Sequence, residues 1–272
     1  MAKPEDKNQE NALRWKRNQL DYLLGYAKHP TFAELGCGTG FVAGIIAERF
    51  VRSKVIGIDR NPLRLASLKT IPRTSAICGD IRSVCLRDES VDSALIVSTL
   101  HEVYSESGKI GIAHTLGSAA RALKHGGRLI LYDRVRPEPR RVMIDFIDPD
   151  QRVRFTRFAR DFRMRKVEYI EEGSEILLDI ADAFEFIEQF ALETGDDWNT
   201  KLGETNFFFT GKEYSAACSR AGLEIYRATI WEEAYGTPEK LADKMIIDTL
   251  FTRAWIGLVV EKGGGARPDD LL

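Results

Sequence analysis

The chain has 272 residues, a formal net charge of −2, and 44% hydrophobic and 29% charged residues. This is the ordinary balance of a globular protein, enough for one large α/β domain with an elaboration. No apolar run is long enough to span a bilayer, and the four cysteines (Cys37, Cys78, Cys85 and Cys218) form no C-x-x-C pair and no zinc or iron–sulfur spacing, so neither a membrane partner nor a metal is expected.

Residues 1–8 are polar and predict disorder rather than a signal peptide, which with the unpaired cysteines points to a reduced, cytoplasmic setting. From Gln9 to Lys28, Leu13, Leu20, Leu23, Leu24 and Ala27 recur at helical spacing, and His29-Pro30 ends that helix. Thr31 to Leu35 reads as a short buried strand, Gly36-Cys37-Gly38-Thr39-Gly40 as a glycine turn, and Phe41 to Glu48 as a helix packed on a sheet. Glycines there let the backbone take positive φ and let a ligand approach main-chain N–H groups. The dinucleotide fingerprint G-x-G-x-x-G places its third glycine one residue later, where this chain has Phe41, which argues against a pyrophosphate on the helix end.

Val55 to Asp59 is a second buried strand ending in an acid that can accept both hydroxyls of a ribose. Asn61-Pro62 starts a helix that runs to Thr70. Ile77-Cys78-Gly79-Asp80-Ile81 is a third strand end with another acid, and Val91 to Ser98 is a fourth strand. A helix is expected from about Ser107 to Leu123, closed by Lys124-His125-Gly126-Gly127, before a fifth strand over Arg128–Asp133. Strands alternating with helices predict a parallel sheet covered on both faces. Past Asp133 the alternation breaks. A helix over Phe146–Phe162, a hairpin of Lys166–Ile170 and Glu175–Asp179 around Gly173, and a helix over Ala181–Glu193 are expected before it resumes. It resumes with a helix over Thr210–Ala221, a strand over Leu223–Glu232 and a last strand over Ala254–Glu261; a flexible tail from Gly263 is expected.

The order E-x-G-x-G-x-G, acid after the second strand, Gly-Asp-Ile after the third, and Leu-Lys-His-Gly-Gly-Arg-Leu-Ile-Leu before the fifth resembles the class I S-adenosylmethionine (SAM)-dependent methyltransferases. The resemblance covers residues 31–133 and, more faintly, the last third. It implies a seven-stranded, mostly parallel doubly wound α/β sheet, SAM as cofactor and S-adenosylhomocysteine (SAH) as product. It implies a cofactor site over Glu34, Gly36, Cys37, Gly38, Gly40, Asp59, Arg60, Asp80, Ile81 and Ser98, with Glu34 taking the SAM amino group and Asp80 and Ile81 the adenine. Asp80 could instead cap the following turn. Residues 1–30 would form a helical lid that could include Trp15 and Tyr22, or equally a helix simply packed on the core, with 31–134 the SAM core, 135–209 an α+β cap for the acceptor, 210–262 the completion of the sheet, and 263–272 the tail. Ligands bind at the carboxyl ends of strands in such sheets, so an insertion leaving the fifth strand hangs over the site.

His101 follows the fourth strand, where the methyl group should point, and is the candidate for chemistry as a general base; it could equally pack the cofactor or cap the next helix. Asp133, near the same opening, could orient an acceptor or pair Arg134 or Arg136. Residues 98–101 are Ser-Thr-Leu-His, unlike the [N/D]-P-P-[Y/F] of amino-methylating enzymes in the family, and no Pro-Cys occurs there. Residues 134–166 carry eleven bases against five acids, and 167–204 twelve acids against Lys201 alone. Adjacent blocks of opposite sign pair more often with each other than with a ligand. A small-molecule acceptor is therefore favoured, with an RNA acceptor held by the basic block, or a non-catalytic SAM-binding module, as alternatives.

Overall fold

The computed structural model describes residues 4–191, 197–235 and 239–263. In chain order the main elements are α1 (Pro4–Leu24), β1 (Thr31–Leu35), α2 (Phe41–Arg49), β2 (Lys54–Asp59), α3 (Pro62–Leu65), β3 (Thr74–Cys78), β4 (Val91–Val97), α4 (Leu100–Ala122) and β5 (Leu123–Arg134). They continue with β6 (Arg141–Phe146), α5 (Pro149–Asp161), β7 (Tyr169–Glu172), β8 (Glu175–Asp179), α6 (Ile180–Glu185), α7 (Trp198–Lys201), α8 (Gly211–Arg220), β9 (Leu223–Tyr235), β10 (Met245–Ile247) and β11 (Phe251–Lys262).

A seven-stranded sheet runs β3-β2-β1-β4-β5-β11-β9. The first five strands pair in parallel, and β11 lies antiparallel between β5 and β9. The order reverses between β1 and β4, the crevice where such sheets bind ligands. Strands β1, β4 and β5 are nearly continuous in buried residues because helices cover both faces. Leu20, Leu23 and Leu24 of α1 are buried with Phe32, Val42, Val97 and Tyr132 on one face. On the other face Leu35, Ile96, Leu131 and Ile256 pack with residues of α4 and α8.

A second, antiparallel sheet runs β10-β6-β8-β7. Its core is aromatic: Phe155, Phe158, Phe186, Phe190 and Phe207 are fully buried. Two of its strands differ from expectation. β6 occupies Arg141–Phe146, so the following helix begins only at Pro149, after an Asp148 cap whose side chain accepts from the Asp150 N–H. β10 comes from beyond β9, so residues after the expected insertion complete this sheet.

Other boundaries shift for local reasons. Pro4–Asn8 belong to α1 instead of a disordered start, while residues 1–3 lie outside the described residues, as does the tail beyond Gly263. α4 begins seven residues before Ser107, at Leu100, and absorbs a break at Gly108, whose φ of 58° and ψ of −153° lie off the helix. The hairpin's first strand starts at Tyr169 and turns at Gly173, whose φ is 66°. The helix expected to Glu193 is α6 followed by a π-turn over Phe186–Phe190; its last residues, 192 and 193, lie outside the described residues. β9 and β11 are both longer than the spans expected for them.

Candidate active site

The glycine turn caps β1 and is tied to β2. Gly36 and Cys37 donate their N–H groups to the Ile58 carbonyl at 2.8 and 3.0 Å. Gly36, Gly38 and Gly40 have φ of 78°, 52° and 86°, the region that L-residues with a side chain disfavour. At Gly36 space also forbids one: a Cβ would lie 2.4 Å from Cγ2 of Thr99. At Gly38, which lines the hollow beside the turn, a Cβ would meet open space.

Asp59, at the end of β2, brackets the turn. Its Oδ2 accepts from Gly38 N–H and its Oδ1 from Asn61 N–H, each at 2.8 Å. Two adjoining hollows meet at Gly36, Asp59 and Thr99. One, of about 180 Å³, includes Arg60, Gly79, Asp80, Ile81 and Glu106 in its wall. The other, of about 220 Å³, includes Lys16, Glu34, Cys37, Phe41 and Ser98.

Asp80 does cap the short turn Ile81–Ser83, accepting from the Arg82 N–H, and it also binds the Arg82 guanidinium. That hydrogen bond holds the Asp80 carboxyl below its usual range. Arg60 is ion-paired with Glu106. Cys37 packs on Leu65 and Leu68, and burial pushes its thiol up to about 12, so it contributes shape rather than a thiolate.

Glu34 is fully enclosed on β1. Burial pushes its carboxyl up to about 8, against the opposing pull of the Ala43 N–H and Lys16. Its Oε2 has no hydrogen-bond partner. Such an atom is costly to bury unless a donor arrives.

Ser98 ends β4 with φ 51°, a strained conformation for a residue with a side chain, held by its N–H on the Tyr132 carbonyl at 2.7 Å. The turn delivers Thr99, Leu100 and His101 onto Asp133 at the end of β5. Asp133 Oδ2 accepts from all three backbone N–H groups, at 3.2, 2.8 and 3.3 Å, and so caps α4 from outside the helix. Asp133 Oδ1 lies 2.7 Å from Nδ1 of His101. Burial would raise the Asp133 pKa, but His101 and the backbone donors bring it below the usual value. Burial would likewise lower the His101 pKa, but the Asp133 carboxylate outweighs it and leaves it raised. An ionised carboxylate can only accept, so His101 Nδ1 carries a proton, and in the neutral imidazole Nε2 keeps its lone pair. Asp133 thus pairs with His101, while the guanidinium groups of Arg134 and Arg136 turn to Glu188 and Glu213.

The inserted segment reaches this corner. Thr205 N–H donates to Ser105 Oγ at 3.0 Å, Phe208 stacks on Tyr104 at 4.9 Å, and His101 lies within electrostatic range of Glu204. Trp15 of α1 meets Trp255 edge-on at 4.6 Å, whereas Tyr22 packs on Tyr26 and Trp231, further along the helix. Lys16 also lines the hollow though no motif marks it: it lies in a helix with no signature, and only tertiary packing brings it to Ser98.

Residues 33–131 match the family model described as a methyltransferase domain. The cradle also fits SAM on its own evidence: an enclosed Glu34 oxygen awaits a donor, Gly38 has open space where a side chain would stand, and the Asp59 carboxylate stands between the two hollows. The fold is that of the class I SAM-dependent methyltransferases, and residues 33–131 carry the methyltransferase domain within it. Among solved structures it is similar to a protein of Bacillus halodurans C-125 assigned as a methyltransferase, with 13% identity, TM-score 0.58, and coverage of 91% of this chain and 100% of that one. It is also similar to a SAM-dependent methyltransferase of Methanosarcina mazei, with 16% identity, TM-score 0.53 and coverage of 89% and 96%. A third is the 1,6-didemethyltoxoflavin-N1-methyltransferase of Burkholderia thailandensis, with 13% identity, TM-score 0.50 and coverage of 93% and 79%. At these identities the likeness is one of fold. A comparison with curated protein sequences returns no match.

Among the described residues no helix is long and apolar enough to cross a membrane.

Proposed function

We propose that the chain transfers the SAM methyl group to a small molecule held between His101 and the inserted segment. The observation that carries this reading is the internal use of the basic block. Arg134, Arg136, Arg152, Arg160, Arg165 and Lys166 pair with acids. Arg154 and Arg163 bond to the carbonyls of Phe190 and Asn199, and Arg157 lies over the Trp198 ring at 4.5 Å. Charges committed in this way are poor phosphate binders, because each contact would first have to be broken. The Burkholderia neighbour, a 1,6-didemethyltoxoflavin-N1-methyltransferase, is consistent with this reading.

SAM, when bound, supplies an electrophilic methyl on its sulfonium. In this reading Glu34 takes the α-ammonium, Asp59 the ribose hydroxyls, and Asp80 with the Ile81 backbone the adenine. Gly36, Gly38 and Gly40 keep the floor open, and Cys37, Arg60 and Ser98 complete the wall. His101 Nε2 takes the proton of an acceptor hydroxyl or amine, while Asp133 fixes the tautomer and stabilises the imidazolium that forms. Positioning by the surrounding wall supplies the rest of the rate. The acceptor class is tested by incubating the protein with methyl-labelled SAM and either a metabolite extract or total RNA. Label in the small-molecule fraction is the expected result. Label in RNA, with salt-sensitive RNA binding, would favour the nucleic-acid reading.

A further inference from the structure

The hollow beside Glu34 contains a side chain that comes from neither the sheet nor its loops. Lys16, on α1, lines it together with Glu34, Gly38 and Ser98. Its Nζ donates to Ser98 Oγ at 3.0 Å; burial lowers its pKa, opposed by the nearby carboxylates of Asp133 and Glu34. The helix that brings it there is anchored. Leu20 and Leu23 are fully buried, and Gln19 Oε1 accepts from the Tyr132 hydroxyl at 2.5 Å. Lys16 therefore approaches the hollow from a fixed support.

The amino-acid end of SAM is a zwitterion. Glu34 offers one carboxylate oxygen with no partner, matched to the α-ammonium. The α-carboxylate needs a cation on the same side of the glycine turn. An ammonium has three donors, and Ser98 uses one of the three on Lys16. Arg64 also lines the hollow, but it is exposed and shared with the neighbouring one.

We propose that Lys16 recognises the α-carboxylate of SAM, so that Lys16 and Glu34 together read its zwitterion. This rests on the cofactor reading of the cradle given above. It makes α1 a contributor to cofactor selectivity in addition to its packing role.

Calorimetry on the full chain tests it with three ligands: SAM, decarboxylated SAM, and 5′-methylthioadenosine, which lacks the amino-acid moiety. The wild-type protein should bind SAM more tightly than decarboxylated SAM. Lys16→Met should weaken SAM by about 10- to 100-fold, the worth of a charge-assisted hydrogen bond. Its affinities for the other two ligands should stay within about twofold, which also reports an intact fold. Lys16→Arg should recover much of the loss. Equal weakening of all three ligands by Lys16→Met would overturn the proposal in favour of a packing role. Unchanged SAM affinity, or a carboxylate-specific loss in Arg64→Met instead, would overturn it as well. A wild-type protein that binds neither SAM nor methylthioadenosine would remove the cofactor reading itself and the proposal with it.

Discussion

His101 Nδ1 and Asp133 Oδ1 meet at 2.7 Å although 32 residues separate them in sequence. One carboxylate does two jobs here: it caps α4 through three backbone N–H groups and holds the imidazole in one tautomer. His101→Ala is expected to lower kcat by about 10²–10⁴-fold while SAM affinity stays unchanged. Single-turnover transfer at saturating SAM is the check. A full wild-type rate would leave positioning as the mechanism and remove His101 from it.

The same pair sets a pH dependence. In the proposed reaction the neutral imidazole is the base, so the rate should rise with pH through an inflection above the usual histidine value of 6.5, since Asp133 raises the His101 pKa. Asp133→Asn removes the stabilising charge and leaves burial, which acts downward. The inflection should therefore move to lower pH while the plateau rate falls. The pH–rate profile of the variant shows this directly; an inflection that stays in place would mean that Asp133 does not act through His101.

If Glu34 takes the SAM ammonium as proposed, cofactor binding is expected to release a proton. In the free protein its carboxyl is raised to about 8, so it is mostly protonated at neutral pH. Pairing with the SAM ammonium ionises it. Calorimetry at pH 6.5–7 in buffers of different ionisation enthalpy should show about one proton released, declining toward zero above about pH 9. Glu34→Gln should abolish the release. The folding linkage has the matching sign: the contribution of this acid is fully present below its unfolded value of 4.5 and is lost as pH rises through about 8. Stability of the free protein should fall less steeply with rising pH in Glu34→Gln than in wild type.

Two glycines of one turn should fail differently. Gly36→Ala drives a Cβ into Thr99 and should cost about 1–3 kcal/mol of stability as well as cofactor affinity. Gly38→Ala meets open space and pays only for its left-handed φ, about 1–2 kcal/mol, yet places a methyl in the cradle. Thermal melts and SAH titration separate the two. Undiminished SAH binding by Gly38→Ala would move the ligand away from that amide.

Much of the seven-stranded sheet was legible because its parallel strands are short apolar runs ended by Gly or Asp, as in Thr31–Gly36 and Val55–Asp59. β6 was not, because Arg141 and Asp145 stand among its apolar residues and two prolines precede it; its alternation makes sense only once β8 pairs with it. β10 is three residues long and is defined by its partner rather than by a pattern. In the site, the glycine turn, Glu34, Asp59 and His101 sit at strand ends where position alone marks them. Lys16 and the Asp133–His101 bond depend on contacts between distant segments, and no local signal encodes such contacts.

Calorimetric titration of wild type and Asp59→Ala with SAM, SAH and NAD decides whether Gly36–Gly40, Glu34 and Asp59 form the proposed SAM cradle. The wild-type protein should bind SAM and SAH and show no binding of NAD. Asp59→Ala should weaken both ligands by about 1.5–3 kcal/mol, the worth of a hydrogen bond to a charged group. Tighter binding of NAD than of SAM would rule the SAM cradle out, and an unchanged SAM affinity in Asp59→Ala would remove Asp59 from it.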